Sequence, residues 1–236
     1  MRASCYPGCV RSTACYTYAM QIDIISDVVC PWCFIGKRRL ERALAMRPEV
    51  APEILWRPFQ LNPDMPAEGM ARADYIATKF GDSGHSRRIH QTIAEAGATV
   101  GIDFAFDKIK RSPNTRNAHR LIRYATKHAL GGLVVTRLFE GYFLEGRDVG
   151  DVPTLTTIAA EAGLDEREAR AFLSGDAERD EIVAEDRNAR RLGVNAVPCF
   201  IFAGQYAISG AQEPEFFLPV FDLVLNGAPA GAAASS

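Results

Sequence analysis

The sequence lacks an apolar run of the roughly 20 residues needed to cross a bilayer. It also lacks, near its start, the continuous apolar segment that marks a secretory signal. An excess of one charge is missing too, since 27 Lys and Arg stand against 29 Asp and Glu. This balance predicts neither a nucleic-acid footprint nor attraction to an anionic membrane. We therefore expect a cytoplasmic protein whose partners are proteins or small molecules.

Cysteine is scarce, with six among 236 residues, and a chain with 47% apolar residues can build a core without disulfides. In a reducing compartment, cysteines are more often catalytic, metal-binding or inert than bridged. Their positions must therefore decide their roles. The six are Cys5, Cys9 and Cys15 near the start, and Cys30, Cys33 and Cys199 further along.

The two ends of the chain show neither helical nor strand periodicity. Residues 1–19 are predicted to be a disordered or misassigned extension, because Met20 opens directly onto a strand-like run. Residues 227–236 consist mostly of Gly, Ala and Ser, and they are predicted to form a flexible tail.

Residues 20–64 predict a strand, a helix and a second strand. Gln21 to Val29 is rich in Ile and Val and leads straight into Cys30-Pro31-Trp32-Cys33. Pro31 suits a first helical turn, where its missing N–H is no loss. Glu53 to Phe59 is predicted to be the strand that returns after this helix. The two strands are therefore expected to run parallel.

Residues 65–192 predict a block of helices. The only candidate strand in the block is Ile102 to Phe106. Signals for helix starts, and one for a helix end, punctuate the rest. The starts are Ser112-Pro113, Asp151, Asp165 and Asp176, and the end is Gly193.

Residues 193–226 return to α/β character. Val197 to Phe202 and Tyr206 to Ser209 predict a hairpin, and Glu213 to Leu225 predicts a terminal helix. The whole pattern therefore predicts a split α/β domain whose two parts flank a helical insertion.

Cys30 and Cys33 are predicted to be a redox-active dithiol at a helix N-terminus. A cysteine reacts as the thiolate, which unpaired backbone N–H groups and the helix dipole stabilise. Cys30 would lie at that end as the attacking thiolate, and Cys33 would be the more buried, resolving thiol. Zinc binding is the alternative, but no second C-x-x-C or H-x₃₋₅-H pair follows in the sequence. We predict no metal.

Several motifs carry a resemblance to a known family. They are Ser26-Asp27-Val28-Val29-Cys30-Pro31-Trp32-Cys33 with Gly36 and Leu40, Phe59-Gln60-Leu61-Asn62-Pro63, Asn114-Thr115-Arg116-Asn117-Ala118-His119, Val197-Pro198 and Ser209-Gly210-Ala211-Gln212. Together they resemble the DsbA-like thioredoxin-fold oxidoreductases, and in particular the cytoplasmic FrnE-like branch. The resemblance extends from about Met20 to Asn226. It implies an α/β thioredoxin-like fold with a large all-helical insertion.

The resemblance also implies a cis bond between Val197 and Pro198 beside the dithiol, where the Val197 backbone would pair with substrate. Sequence alone favours an ordinary trans proline that opens an edge strand. Pro31 and Trp32 would complete the substrate-binding surface, and we expect Trp32 to face solvent. No bound cofactor is expected, and glutathione or another thiol would serve as co-substrate.

Three further residues are candidate auxiliaries. Cys199 is interpreted as a small buried strand residue, with an extra thiol near the site as the alternative. Asp27 either accepts a proton from Cys33 or merely ends the strand. His119 is either packed in its helix or borders a cleft between the insertion and the sheet.

Two structural roles are predicted near the same motifs. Phe59 is expected to fill the core rather than line a groove. Ser209 and Gln212 have the spacing of a capping box at the start of the last helix. If that helix end faces the cleft, it could hold an anion such as a glutathione carboxylate.

The leading functional hypothesis is a thiol–disulfide oxidoreductase or isomerase that acts on protein or small-molecule disulfides. The alternative is a glutathione-dependent isomerase or kappa-class-like glutathione transferase, whose members usually carry serine at the position of Cys30. A third hypothesis is a non-enzymatic binding module in which the dithiol is dormant or holds zinc. The sequence leaves the oligomeric state open, and a homodimer is one arrangement it allows.

Overall fold

The computed structural model describes residues 20–80 and 83–227. The first half of the central sheet comes from the start of this region. It comprises strand β1 (Gln21–Ser26), helix α1 (Pro31–Met46) and strand β2 (Glu53–Pro58). The predicted parallel pairing is confirmed, with Gln21 opposite Glu53. The predicted extension, with Cys5, Cys9 and Cys15, and all of the predicted tail beyond Gly227 lie outside the described residues.

Strand β1 ends at Ser26, earlier than the predicted Val29. The chain turns after Ser26, and the Cys30 N–H donates to the Asp27 C=O at 3.0 Å. This turn places Cys30 directly before the first residue of α1.

A helical segment follows, together with a two-stranded ribbon that the sequence did not predict. In chain order its elements are β3 (Met70–Ala71), α2 (Arg72–Phe80), α3 (Ser83–Ala98), β4 (Arg111–Ser112), α4 (Arg116–Lys127), α5 (Gly131–Phe143), α6 (Val152–Glu161), α7 (Glu166–Ser174) and α8 (Arg179–Arg191). The two short strands pair antiparallel, with Met70 opposite Ser112. Every helix in the described ranges is too short or too polar to cross a membrane.

The candidate strand from Ile102 to Phe106 does not form. This stretch is irregular and ends in a 3₁₀ turn over Phe106–Lys108. Its apolar residues instead bury themselves against aromatic side chains, since Phe104 packs edge-on against Phe143 at 5.3 Å between ring centroids. The apolar run therefore reflects burial rather than strand pairing.

Two of the predicted helix caps are confirmed and one is wrong. The carboxylates of Asp151 and Asp165 accept from backbone N–H groups three residues ahead, both at 2.9 Å. Asp176 does not cap α8, because the residue that precedes this helix is Glu178, at φ +63°. Asp176 instead pairs with Arg179 on the surface.

Two other helix boundaries also follow from the backbone. The start signal at Ser112-Pro113 comes before the first residue of α4, Arg116, whose N-cap residue is Thr115. Gly193 closes α8 as predicted, at φ +88°, where a side chain would be strained.

The second half of the sheet is the predicted hairpin of β5 (Cys199–Phe202) and β6 (Tyr206–Ser209). A 3₁₀ turn over Pro214–Phe216 and helix α9 (Leu218–Asn226) follow. The strand order is β2-β1-β5-β6, and β5 runs antiparallel to β1.

The predicted capping box at Ser209 and Gln212 is wrong. The Gln212 side-chain amide donates to the Ser209 C=O at 3.0 Å. The residue at the start of the following turn is Glu213, and no side chain caps it. The pair therefore shapes the bend after β6 and does not begin a helix.

Two apolar clusters hold these layers together. On one face of the sheet, α1 and α9 bury residues such as Ile22, Phe200 and Phe221. On the other side, the dithiol end of α1 shares a core with α4 and α5, where Phe34 stacks on Phe139 at 5.1 Å. Full burial of one such ring contributes about 1.5–3 kcal/mol. The helical segment is therefore anchored directly on the helix that carries the cysteines.

Candidate active site

Cys30 occupies the N-cap position of α1, with extended backbone angles of φ −94° and ψ 112°. Pro31 follows it, no side chain caps the helix, and the first turn holds no acidic residue. The positive end of the helix dipole is therefore left to the Cys30 sulfur. Such an interaction contributes about 0.3–1 kcal/mol at an exposed site.

The Cys30 thiol also contacts a residue that is far away in the sequence. It donates to the backbone C=O of Val197, with 3.6 Å between Sγ and the oxygen. Cys30 is only 4% exposed, so this contact lies under the surface. The Val197–Pro198 peptide bond is cis, which confirms the geometry that the resemblance implied.

Cys33 lies one turn further into α1 and is 1% exposed, against 4% for Cys30, so both thiols are buried. Burial raises the pKa of its thiol well above the ordinary value of 9.0, and the neighbouring Cys30 raises it further. Hydrogen bonds from the Ser26 hydroxyl and the Asp27 backbone act in the opposite direction. Cys33 therefore keeps its proton at neutral pH, and the two sulfurs are chemically unequal.

Gly36 allows α1 to approach the Pro198 loop closely. A Cβ at this position would lie 2.8 Å from the Pro198 Cγ and 3.1 Å from the Phe200 ring. The missing side chain thus lets the proline pack directly on the dithiol helix. Only the family resemblance predicts Pro198 near the dithiol, and no local pattern in the sequence predicts this packing role of Gly36.

Asp27 and His119 face each other beside the dithiol. Asp27 is 1% exposed and His119 is 5% exposed, and 3.4 Å separates the Asp27 Oδ1 from the His119 Nε2. The other carboxylate oxygen of Asp27 accepts from the Leu61 N–H at 2.7 Å. His119 therefore does border the interface between the helical segment and the sheet.

A part-buried ion pair on α8, which the sequence patterns do not predict, fixes the loop that contacts Asp27. The Gln60 N–H donates to the buried Asp186 carboxylate at 2.8 Å. Arg190 pairs with the same carboxylate at 3.0 Å and lies over the ring of Phe59, 4.2 Å from its centroid. Phe59 itself is 2% exposed, as predicted for a core residue. The Phe59-Gln60-Leu61 motif was the only signal in the sequence.

The remaining candidates have structural surroundings. Trp32 is half-buried and packs on the core rather than facing solvent freely, which corrects the prediction. Cys199 lies in β5 opposite Ile25, and burial raises the pKa of its thiol. Within the described ranges, no group of three or more His, Cys, Asp or Glu side chains is placed to hold a metal ion.

Comparison with known proteins agrees with this geometry. The sequence profile of the DSBA-like thioredoxin domain matches residues 21–221. The chain belongs to the DsbA-like thioredoxin family. It is therefore a member of a family of thiol–disulfide oxidoreductases, and its predicted thioredoxin-like fold with a helical insertion is confirmed.

Individual relatives extend over nearly the same region. The uncharacterized protein YwbO of Bacillus subtilis is 27% identical over 199 residues, which cover 84% of this chain and 94% of YwbO. A probable DsbA oxidoreductase from Streptomyces coelicolor is 30% identical, with a TM-score of 0.78 over 88% of this chain and 91% of that chain.

A more distant neighbour shares the fold. The cytosolic disulfide reductase DsbM from Pseudomonas aeruginosa, whose structure was determined with GSH, is 18% identical. Its TM-score is 0.58, over 87% of this chain and 99% of that chain.

Proposed function

We propose that this DsbA-like oxidoreductase exchanges disulfides with protein or small-molecule substrates through Cys30 and Cys33, in the cytoplasm and as a FrnE-like member of its family. The observation that carries the proposal is the inequality of the two thiols. Cys30 lies at an uncapped helix N-terminus, while burial raises the pKa of Cys33. Cys30 is thus suited to attack a substrate disulfide, and Cys33 to act afterwards as the resolving thiol.

The proposed reaction has two exchanges. The Cys30 thiolate attacks a substrate disulfide, forms a mixed disulfide and releases one substrate sulfur as a thiolate. Cys33 then loses its proton and attacks the Cys30 sulfur, which closes the Cys30–Cys33 disulfide and releases the second substrate thiolate. The substrate has gained the two electrons that the dithiol has lost.

Glutathione or another small thiol would return the dithiol to its reduced form, by the same exchange in reverse. The presence of GSH in the DsbM structure supports glutathione as the donor to test first. A reducing cytoplasm favours net reduction or isomerisation over net oxidation.

The Val197 carbonyl is the proposed point of contact with a substrate chain. In the reduced protein this oxygen accepts from the Cys30 thiol. A mixed disulfide removes that proton and frees the oxygen for an N–H of the substrate backbone. Pro31, Trp32 and Pro198 would form the surrounding surface, and the helical segment predicted over residues 65–192 would add selectivity.

Asp27 is the proposed proton acceptor for Cys33, because its backbone contacts that sulfur and its carboxylate is buried nearby. Cys199 is proposed to be a passive strand residue, since it lies between β1 and β6 and its thiol is held neutral by burial.

The test is turnover of a protein disulfide. Purified protein with reduced glutathione should reduce insulin, Cys30→Ser should abolish the reaction, and Cys199→Ala should retain most of it. Equal activity of Cys30→Ser would overturn the proposal. Glutathione conjugation or isomerisation that survives Cys33→Ala would instead favour the glutathione-dependent alternative.

A further inference from the structure

Two buried polar atoms beside the dithiol lack hydrogen-bond partners. They are the Asp27 Oδ1 and the His119 Nε2, and among the described residues neither atom has a partner, although they lie 3.4 Å apart. A buried group left unsatisfied costs about 1–3 kcal/mol. Native proteins rarely keep such a pair without a function or an ordered water.

A cavity of about 220 Å³ borders His119 of this pair, between β1, β2, α4, α5 and α8. Ser26, Val28 and His119 form its buried floor, and the exposed Thr126 and Lys127 form its outer rim. One liquid water occupies about 30 Å³. The cavity therefore has room for several waters between His119 and the surface.

The charges around the cavity are already neutralised. Arg57 pairs with Asp23 and Arg123 pairs with Glu185, each at 2.6 Å. Lys127 pairs with Glu178. No cation on the cavity wall is left without a carboxylate among the residues described, so the cavity suits water better than an anionic ligand.

Ser26 lies between the cavity and the resolving cysteine. It lines the cavity, and a hydrogen bond from its side chain acts to lower the pKa of Cys33. The cavity thus comes within one residue of a thiol that must lose its proton.

We infer that His119, supplied by the helical segment, holds the Asp27 carboxylate and exchanges protons between it and water in this cavity, which gives Cys33 its proton exit. The inference deepens the proposed function and rests on it. His119 is a positioning residue in this scheme, because it acts on Cys33 through Asp27.

The coupled step balances as follows. The Cys33 S–H bond breaks, and its proton passes by way of cavity water to the Asp27–His119 pair and then to solvent. The electron pair left on Cys33 forms the bond to the Cys30 sulfur. The bond between Cys30 and the substrate breaks, and the substrate sulfur leaves with its electron pair and takes a proton from solvent.

Other charged groups line the cavity beside His119. They are Arg57 from β2, Glu185 from α8 and Arg123 from α4 itself, all in ion pairs. Tyr142 of α5 lies close enough to sense the Asp27 charge, but burial raises the pKa of Tyr142 far above neutrality. Tyr142 therefore stays protonated across the pH range of the experiment.

The experiment follows both exchanges in one reaction of the full-length protein with oxidised glutathione. Acid-quenched samples are mapped by mass spectrometry to separate the Cys30 mixed disulfide from the Cys30–Cys33 disulfide, from about pH 5 to pH 9. Absence of both the Cys30 mixed disulfide and the Cys30–Cys33 disulfide would refute the proposed function itself. Normal formation of the mixed disulfide isolates the second step for the test of His119.

Glutamine can hold a carboxylate but cannot titrate, and leucine can do neither. General acid–base contributions of about 10²–10⁴-fold are common, so we expect His119→Leu to slow the second step by at least about tenfold. His119→Gln should recover most of that loss but flatten the pH profile. The exposed His128, next to the end of the same helix, gives the control His128→Gln, which should keep the wild-type profile.

A double-variant cycle separates this role from a structural one. If His119 acts through Asp27, His119→Leu should add no further loss to Asp27→Asn. A wild-type pH profile in His119→Gln, or fully additive losses in the cycle, would overturn the inference. If His119→Leu fails to fold, NMR titration of the His119 ring in wild-type protein decides, since an identical titration in the reduced and oxidised forms would also overturn it.

Discussion

Substitution of Gly36 by alanine should separate the dithiol helix from the Pro198 loop. The added Cβ would lie 2.8 Å from the Pro198 Cγ and 3.1 Å from the Phe200 ring. Carbon atoms prefer separations of about 3.5–4.0 Å, so the proline must move by about 0.7–1.2 Å. Val197 moves with it, away from the Cys30 sulfur that it now contacts.

Two opposing terms set the effect of Gly36→Ala on stability. Alanine in a helix interior gains about 0.5–1 kcal/mol over glycine. Overpacking of a close contact costs about 1–3 kcal/mol. We expect the free energy of unfolding to fall by about 0–2.5 kcal/mol, which leaves the protein folded for kinetic measurements.

The effect on activity should depend on the substrate. A displacement of about 1 Å at a reacting site can lower a rate by about 10²-fold, so we expect insulin reduction to fall by at least about tenfold. Attack of Cys30 on a small aromatic disulfide needs no backbone pairing and should change far less.

The matched control for Gly36→Ala is Gly132→Ala. Gly132 is also a helical glycine, but an added Cβ there meets nothing within 4 Å. This control should lose neither stability nor activity. Unchanged insulin reduction by folded Gly36→Ala would refute the role assigned to the contact between α1 and Pro198.

Three further predictions concern stability. Arg120 is fully buried and donates to carbonyls at the end of α7. In denaturant titration, Arg120→Met should therefore lower the free energy of unfolding by about 2–4 kcal/mol. The control Arg167→Met, at an exposed residue, should lower it by less than about 0.5 kcal/mol. Burial raises the pKa of Cys33 above its unfolded value of 9.0, so as the pH rises the unfolded state loses this proton before the folded state does. The free energy of unfolding of the reduced protein should therefore fall above about pH 9, and Cys33→Ala should reduce this pH dependence. Asp165→Ala should lose about 1 kcal/mol with its cap, whereas Asp176→Ala should change little, and thermal melts of both variants would show the reverse order if the cap assignment were wrong.

Local signals were sufficient for much of the fold. Runs of strand-forming residues such as Ile and Val, together with turn chemistry, predicted β1, β2 and the β5–β6 hairpin, because these signals are local in the sequence. The caps at Asp151 and Asp165 are equally local. Ile102 to Phe106 failed because its apolar residues find aromatic partners far away in sequence rather than a neighbouring strand.

Only part of the candidate site could be predicted from the sequence. The spacing of Cys30 and Cys33 indicates a dithiol at a helix start wherever the chain folds. The contact between Asp27 and His119 depends instead on how α4 packs against the turn before α1. The space available at Gly36 depends on the position of Pro198 in the folded chain. Contacts of this kind join residues more than 80 positions apart and leave no periodic pattern in the sequence.

The most direct test of the account is to trap the mixed disulfide. Cys33→Ala and Cys30→Ala proteins are each treated with oxidised glutathione near neutral pH, and the adduct is located by peptide mass spectrometry. We predict that Cys33→Ala accumulates an adduct on Cys30, and that Cys30→Ala forms none on the buried, protonated Cys33. An adduct that forms on Cys33 as fast as on Cys30 would contradict the division of roles between the two thiols.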